Sequence, residues 1–185
     1  MAKSQFREYV ESFLVSIIAA ALIIAFVAQS FLVEGSSMEP SFHDGQRMLV
    51  EKVSYRFGDP KRGQVVVFRY PSDRRRKFIK RIVGVPGDEI LIRGGFLYVN
   101  GVRLDEGYVN GPTYGTYGSP TFGPVLVPEG HYFVLGDNRR NSDDSRYPDV
   151  GFVPRRDLVG RALFVYWPIS QARSVQIPSV FERVE

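Results

Sequence analysis

A serine, a lysine and a polar loop are the parts of this sequence whose residue types could support catalysis. Ser37 lies in the small-residue run 35–40 (Gly-Ser-Ser-Met-Glu-Pro), and Lys80 interrupts the apolar run 78–85. The loop 136–146 is dense in Asp, Asn, Ser and Arg. A serine hydroxyl is a weak nucleophile unless a neighbouring base takes its proton. The three places together indicate a serine nucleophile whose base has to be identified.

Lysine is the candidate base because histidine is scarce. The chain has only His43 and His131, and neither lies in a recognisable triad context. A solvated lysine has a pKa of about 10.4, so only about one amine in 2,500 is neutral at pH 7. Burial disfavours the charged form and can lower this pKa into the neutral range. In a strand, Lys80 shares a face with Phe78 and Ile82, and that face would desolvate the amine if it packs inward.

Each of the three places also has an ordinary structural interpretation. Gly/Ser runs after apolar segments are commonly linkers, and a lysine in a strand is commonly solvated. The polar loop offers Asp137, Asn141, Asp143 and Asp144 as oxygen ligands for calcium. Its arginines and its spacing favour a network of Asp–Arg pairs instead. We therefore expect no metal and no cofactor.

An uncharged apolar segment precedes the serine. It covers residues 12–33, between Glu11 and Glu34. At 1.5 Å per residue this length spans about 33 Å, enough for a hydrocarbon core of about 30 Å. The pattern predicts one transmembrane helix over 12–33. A cleavable signal peptide is the rival interpretation, because the small residues around Ser30 offer a processing site where the anchor could also be trimmed.

The predicted anchor divides the chain into three parts. Residues 1–11 form a short tail whose Lys3 and Arg7 favour the cytoplasmic side. Residues 34–185 would then form the extracytoplasmic domain. We expect a single-pass protein of the cytoplasmic membrane with its N-terminus in the cytoplasm.

Composition indicates an ordered, turn-rich β body. The chain has 185 residues, of which 44% are hydrophobic and 24% charged, with 18 glycines and 12 prolines. It has no cysteine, which excludes disulfides, thiolate nucleophiles and Cys-ligated metals. The net charge of +4 suits an anionic lipid surface as well as nucleic acid, and nothing in the sequence favours nucleic acid.

Apolar runs divided by turn signals predict an all-β domain without a second long helix. A charged loop is expected at 71–77, where the basic run 74–77 would be solvated or would touch anionic head groups. A surface excursion is expected at 105–124. The predicted strands are 47–53, 64–70, 78–85, 89–93, 96–99, 131–135 and 158–167.

These motifs resemble those of the bacterial type I signal peptidases, or leader peptidases, which are serine proteases with a Ser–Lys dyad. The resemblance covers nearly the whole chain, and its most specific blocks are 80–88 (Lys-Arg-Ile-Val-Gly-Val-Pro-Gly-Asp) and 136–146. It is also carried by 35–40, 47–52 and 63–68. The resemblance implies a largely antiparallel β-sheet body with a small inserted β subdomain at about 89–127.

The resemblance also implies roles for individual residues. Ser37 would be the nucleophile and Lys80 the general base, and the reaction would pass through an acyl-enzyme. Ser142 would hold the lysine amine. Asp144 and Arg146 would form a structural ion pair, with Arg81 nearby.

The substrates implied are the signal peptides of exported precursors. They would bind in an extended conformation against strand edges and be cut after small residues of the Ala-x-Ala type. The lipid bilayer is the other expected partner, nucleic acid is not expected, and a monomer is assumed. The shallow apolar pockets would be lined by Phe31, Val33, Met38 and Ile79.

Two positions depart from the family pattern. Some members have a serine at the position of Gly35 and use its hydroxyl in the oxyanion hole. Here the N–H of Ser37 remains as one donor, and Ser36 is the candidate for the second. The family commonly has aspartate at the position of Arg140, so one local pairing is expected to differ.

Two other functions fit parts of the sequence. A self-cleaving repressor relative would share the Ser–Lys dyad, but it should carry a soluble helix-turn-helix region. A non-enzymatic anchored β domain would tolerate replacement of Ser37 and Lys80.

Overall fold

The structure is a computed structural model that describes the backbone of residues 2–184 and the side chains of residues 5–21 and 27–184. Part of the predicted tail and anchor therefore lies outside the described side chains, namely Lys3 and residues 22–26.

The N-terminal helix ends earlier than the apolar pattern predicts. Helix α1 covers Ala2–Val27, and strand β1 follows at once as Ala28–Leu32. The predicted transmembrane helix over 12–33 is thus wrong at its C-terminal end. An apolar run alone does not distinguish helix from strand, and here pairing with a neighbouring strand decides.

Among the described residues, no helix has the length and hydropathy needed to cross a bilayer.

The strands of the described chain form two antiparallel sheets, which confirms the all-β prediction. The strands after β1 are β2 Arg47–Glu51, β3 Val65–Tyr70, β4 Asp73–Gly84, β5 Glu89–Arg93, β6 Phe96–Val99, β7 Val102–Arg103, β8 Thr121–Leu126, β9 His131–Leu135, β10 Val153–Pro154, β11 Leu158–Trp167 and β12 Arg173–Ser174. One single-turn helix, α2, covers Ser54–Phe57.

The larger sheet has the order β1-β2-β11-β3-β4-β9-β10, with β12 paired to β11. The smaller sheet has the order β7-β6-β5-β8. The smaller sheet lies within the region predicted as an inserted subdomain, and its boundaries as a subdomain stay a prediction.

Two predicted loops prove to contain strand. The charged segment 71–77 is not a loop, because β4 begins at Asp73 and its exposed first half pairs with β3 through Arg69↔Lys77 and Tyr70↔Asp73. The sequence pattern did not predict this part of the strand because its residues are charged. An exposed hairpin does not need alternating apolar residues. The excursion 105–124 likewise ends in β8, which pairs with β5.

Strand β3 is the centre of the larger sheet and is buried on both faces. Val65 and Val67 pack in a cluster with Met48, whereas Val66 and Phe68 pack in a second cluster on the opposite face. This explains why β3 reads as a continuous apolar run. Strand β4 lies beside β3, and its Lys80 lies on the same face of the sheet as the second cluster.

Candidate active site

Lys80 projects from β4 into a dry environment. It lies opposite Val66 of β3 and is 4% exposed. Its amine donates hydrogen bonds to Ser37 Oγ at 2.7 Å and to the carbonyl of Ile79 at 3.0 Å, and it lies 5.3 Å from the centre of the Phe78 ring. The structure therefore brings together the serine and the lysine singled out from the sequence.

The environment of the amine lowers the pKa of Lys80 to about 8. Burial is the main cause, because it disfavours the ammonium form. The carboxylates of Asp144, Asp143 and Asp137 act in the opposite direction and favour the ammonium. At pH 7 a pKa of about 8 leaves about one amine in ten neutral, compared with about one in 2,500 for a solvated lysine.

The loop that carries Ser37 is clamped by the polar loop 136–146. The backbone N–H of Asn138 donates to the carbonyl of Ser37 at 3.1 Å, and its side-chain amide donates to the carbonyl of Ser36 at 3.1 Å. The Asn141 amide donates to Ser36 Oγ at 2.9 Å. These contacts fix the nucleophile relative to the lysine. Both asparagines lie in the polar loop identified from the sequence, but no sequence pattern indicates the groups with which they form hydrogen bonds.

Gly35 has a conformational reason to be glycine. Its φ is +82°, in the left-handed region that side chains disfavour, although a Cβ there would meet open space. Its N–H donates to Asp44 Oδ1 at 2.6 Å. In this chain the turn before the nucleophile is thus set by backbone geometry, and no hydroxyl is available at this position.

The N–H of Ser37 has no acceptor within the described part of the chain. It is adjacent to the hydroxyl that would attack a carbonyl. A free backbone N–H at this position is the kind of donor that stabilises a developing oxyanion.

Ser142 does not hold the lysine amine in this structure, so that prediction is wrong for the arrangement seen here. The hydroxyl of Ser142 is buried and has no hydrogen-bond partner among the described residues. The amine of Lys80 is instead directed at Ser37 Oγ and the Ile79 carbonyl. Gly136 packs closely against Ser142, and a Cβ at Gly136 would overlap Ser142 Oγ and the Ser37 carbonyl.

Asp144 and Arg146 form the predicted ion pair, which is bidentate and buried. Both of its N···O distances are 2.8 Å. Asp144 also accepts from the N–H of Gly136 at 3.1 Å, and Arg146 donates to the carbonyl of Tyr114 at 2.8 Å. The pair therefore ties the polar loop both to itself and to the segment before β8.

Two further buried pairs were not predicted. Arg81 donates to both oxygens of Asp137 at 2.9 Å and 2.6 Å. Arg139 donates to both oxygens of Glu106 at 2.6 Å. Because guanidinium groups occupy these carboxylates, the loop is an Asp–Arg network of the kind favoured over a calcium site. Glu106 lies in the supposed surface excursion, and no local signal in the sequence distinguishes it there.

A groove of about 680 Å³ opens beside the serine and the lysine. Phe31 and Ile79, predicted as pocket residues, line it. The other two, Val33 and Met38, are each 1% exposed and lie in the core cluster that packs against Phe31 and Ile79. The residues lining the groove are Phe31, Leu32, Glu34, Gly35, Ser36, Ser37, Met48, Val67, Arg75, Arg76, Lys77, Phe78, Ile79, Lys80, Asn141 and Asp143.

Two strand edges flank this groove without a strand partner in the described chain. Strand β1 pairs only with β2, and β4 pairs with β9 only from Arg81 onward. The Lys77 amine of β4 lies 5.2 Å from the centre of the Phe31 ring of β1, so the two edges face each other. Unpaired N–H and C=O groups on such edges can bind an extended peptide.

Comparison with known protein sequences gives a consistent family assignment. Residues 6–167 match the family described as signal peptidase, peptidase S26. The chain is 44% identical to a probable signal peptidase I-2 of Synechocystis over 92% of its own length and 77% of the relative's. It is 36% identical to a signal peptidase I of Bacillus licheniformis over 92% and 94% of the two lengths. A crystal structure of a signal peptidase I from Enterococcus faecalis is 35% identical, with a TM-score of 0.48, and covers 56% of this chain and 97% of its own.

The buried Arg139–Glu106 pair generates a stability prediction. Replacing Glu106 by Gln leaves the fully buried guanidinium without its counter-charge, and this should destabilise the protein by about 3–5 kcal/mol. The matched control is Asp59→Asn, because Asp59 is 85% exposed and pairs with Arg155. That change should cost less than about 1 kcal/mol. Urea unfolding of both variants in the same detergent measures the difference, and equal losses would refute the assigned role of the pair.

Proposed function

The chain belongs to the signal peptidase family, peptidase S26, and from this premise we propose that it removes signal peptides from exported precursor proteins with Ser37 as nucleophile and Lys80 as general base. The observation that carries the proposal is the 2.7 Å contact between the buried Lys80 amine and Ser37 Oγ beside an open groove. A serine peptidase of this kind needs a base that is neutral near physiological pH, and a pKa of about 8 supplies one.

The first half of the reaction is acylation. The lone pair of the neutral Lys80 amine takes the proton of the Ser37 hydroxyl as Oγ attacks the carbonyl carbon of the scissile bond. The ammonium then gives this proton to the departing amine as the C–N bond breaks. The signal peptide is left as an ester on Ser37, and the mature protein leaves with a free amino terminus.

The second half is deacylation by water. Lys80, neutral again, takes a proton from a water molecule that attacks the ester carbonyl, and then returns a proton to Ser37 Oγ. The peptide carboxylate and the free serine are the products. The Ser37 N–H serves as one donor to the oxyanion in both halves, and the hydroxyl of Ser36, already oriented by Asn141, serves as the second.

Substrate binding follows from the two unpaired edges. An extended signal peptide lies between β1 and β4 and adds main-chain hydrogen bonds to both edges. Its side chains alternate between the two faces, and those that point toward Phe31 and Ile79 meet an apolar surface backed by the buried Val33 and Met38. We propose that this surface accepts only small residues at the first and third positions before the cut.

We also propose that α1 attaches the chain to the cytoplasmic membrane, with the β domain on the extracytoplasmic face. Large apolar side chains of α1 are exposed, among them Phe6 at 71% and Phe13 at 66%.

Protease added to right-side-out vesicles should digest the β domain. A domain protected from the protease until the vesicles are opened would contradict this orientation.

The catalytic assignment can be tested with a secretory precursor and the detergent-solubilised protein. Ser37→Ala and Lys80→Ala should each lower kcat/KM by at least about 10⁴-fold while leaving the circular dichroism spectrum unchanged. The new N-terminus of the product, mapped by mass spectrometry, should follow a small residue. Lys61→Ala is the matched lysine control and should cleave normally. Substantial cleavage by Lys80→Ala would falsify the dyad.

The lowered pKa of Lys80 predicts a pH dependence with a defined sign. Because the neutral amine is the active form, kcat/KM should rise with pH and level off above a pKa near 8. The Asp143 carboxylate favours the ammonium, so Asp143→Asn should lower the pKa of Lys80 and move the rise to lower pH. Asp105→Asn is the control. Asp105 is exposed and lies near the smaller sheet, so its replacement should leave the pH profile of kcat/KM unchanged. A profile that moves upward or stays fixed in Asp143→Asn would contradict this electrostatic account.

A further inference from the structure

The basic residues Arg75, Arg76 and Lys77, here called the basic segment, line the same groove as Ser37 and Lys80. They lie on β4, the strand that carries Lys80, and not in a loop. The pairing of β4 with β3 shifts register between Arg69↔Lys77 and Tyr70↔Asp73, so residues 74–76 form a bulge. At about 3.3 Å per residue, Arg75 therefore lies at most about 17 Å along the strand from Lys80.

The charge of the basic segment is not neutralised within the described chain. The neighbouring Arg74 is paired with Asp157, but none of the three residues of the segment forms an ion pair there. Arg76 lies 5.2 Å from the centre of the Phe78 ring, and Lys77 lies 5.2 Å from that of Phe31. These ring contacts orient the cationic groups but leave their hydrogen-bond donors available.

The two strands beside the groove run in the same direction. In the sheet order β1-β2-β11-β3-β4, four successive antiparallel pairings separate β1 from β4. The start of β1, where α1 ends, therefore lies at the same end of the groove as the basic segment at the start of β4. If α1 attaches the chain to a membrane, the part of a signal peptide upstream of the cut enters the groove at this end.

We propose that the basic segment, chiefly Arg75, binds an acidic side chain of the substrate about four to six residues upstream of the scissile bond. Lys77 and Ile79 share one face of β4, and Arg75 lines the groove beyond them, in the bulge at 74–76. The substrate residue opposite Ile79 meets the apolar surface, and a residue about four positions further upstream lies at the end of the groove lined by Arg75. This inference rests on the proposed function and adds a second determinant of specificity to it.

An anionic lipid head group offers similar chemistry to the basic segment. The position of the segment inside the substrate groove favours the peptide, because a lipid bound there would occupy the path of the substrate. The two ligands differ in one observable way. Recognition of a peptide carboxylate persists in a neutral detergent, whereas recognition of a lipid requires an anionic bilayer.

The test uses the full chain in a neutral detergent and three quenched fluorescent peptides. The peptides have Ala at the first and third positions before the cut and carry Glu, Gln or Lys at the fifth. The wild type should cleave the Glu peptide with a kcat/KM about two- to fivefold above the Gln peptide, and the Lys peptide should be the poorest. Arg75→Gln should reduce the Glu-to-Gln ratio to about one, and Arg75→Glu should reverse the order. Arg93→Glu makes the same charge change in the smaller sheet and should keep the wild-type order.

A binding measurement separates failure of this inference from failure of the proposed function. Fluorescence anisotropy with Ser37→Ala should show the same order of affinity without turnover, and rising salt should weaken the differences. If peptides are cut with equal kcat/KM and bound equally, the inference is wrong while the peptidase function stands. If the order appears only with anionic vesicles, the segment binds lipid and the inference is also wrong. If Ser37→Ala retains cleavage, the proposed function fails, whatever the order of binding.

Discussion

The arrangement of this protein depends on one constraint, which is that a lysine amine must be kept dry beside a serine hydroxyl. Lowering the pKa of Lys80 from its ordinary value to about 8 corresponds to about 3 kcal/mol of differential solvation. This free energy opposes folding in full below about pH 8, where the folded protein has to bury the ammonium form. The penalty fades as the pH rises toward the ordinary lysine pKa of about 10.4, because the folded chain releases a proton that the unfolded chain still binds. The surrounding structure has to supply compensating stability at the same place.

The larger sheet and the polar loop provide this stability. Strand β3 is buried on both faces and gives β4 a rigid neighbour, while the three bidentate Arg–carboxylate pairs hold the polar loop over Ser37. The pairs have a second effect on the electrostatics of the site. Asp144, Asp143 and Asp137 all favour protonation of the amine, and Arg146, which pairs with Asp144, acts against them. Asp143 is the one of these three carboxylates that is exposed and forms no ion pair in the described chain, so it can be replaced without leaving a buried guanidinium unpaired.

Much of the fold and of the candidate site could be predicted from the sequence, and each feature that was not predicted has a physical reason. The buried strands were predicted because continuous apolar runs are a local signal. The pairing of Ser37 with Lys80 was predicted from the scarcity of histidine and from the resemblance to the type I signal peptidases. The end of α1 at Val27 was not, since an apolar run suits a helix and a strand equally well. The exposed half of β4 was missed because its charges conceal a hairpin. The Glu106–Arg139 pair was missed because it joins distant segments, and nothing local distinguishes Glu106 from a solvated glutamate.

The most direct test of the central claim is to measure the titration of the Lys80 amine itself. Nitrogen-15 NMR of the lysine side chains, with the resonance assigned by its loss in Lys80→Arg, follows the protonation state across pH 6 to 11 without turnover. The resonance of Lys80 should titrate at a pKa of about 8. A Lys80 amine that stays protonated beyond about pH 10, like a solvated lysine, would contradict the account.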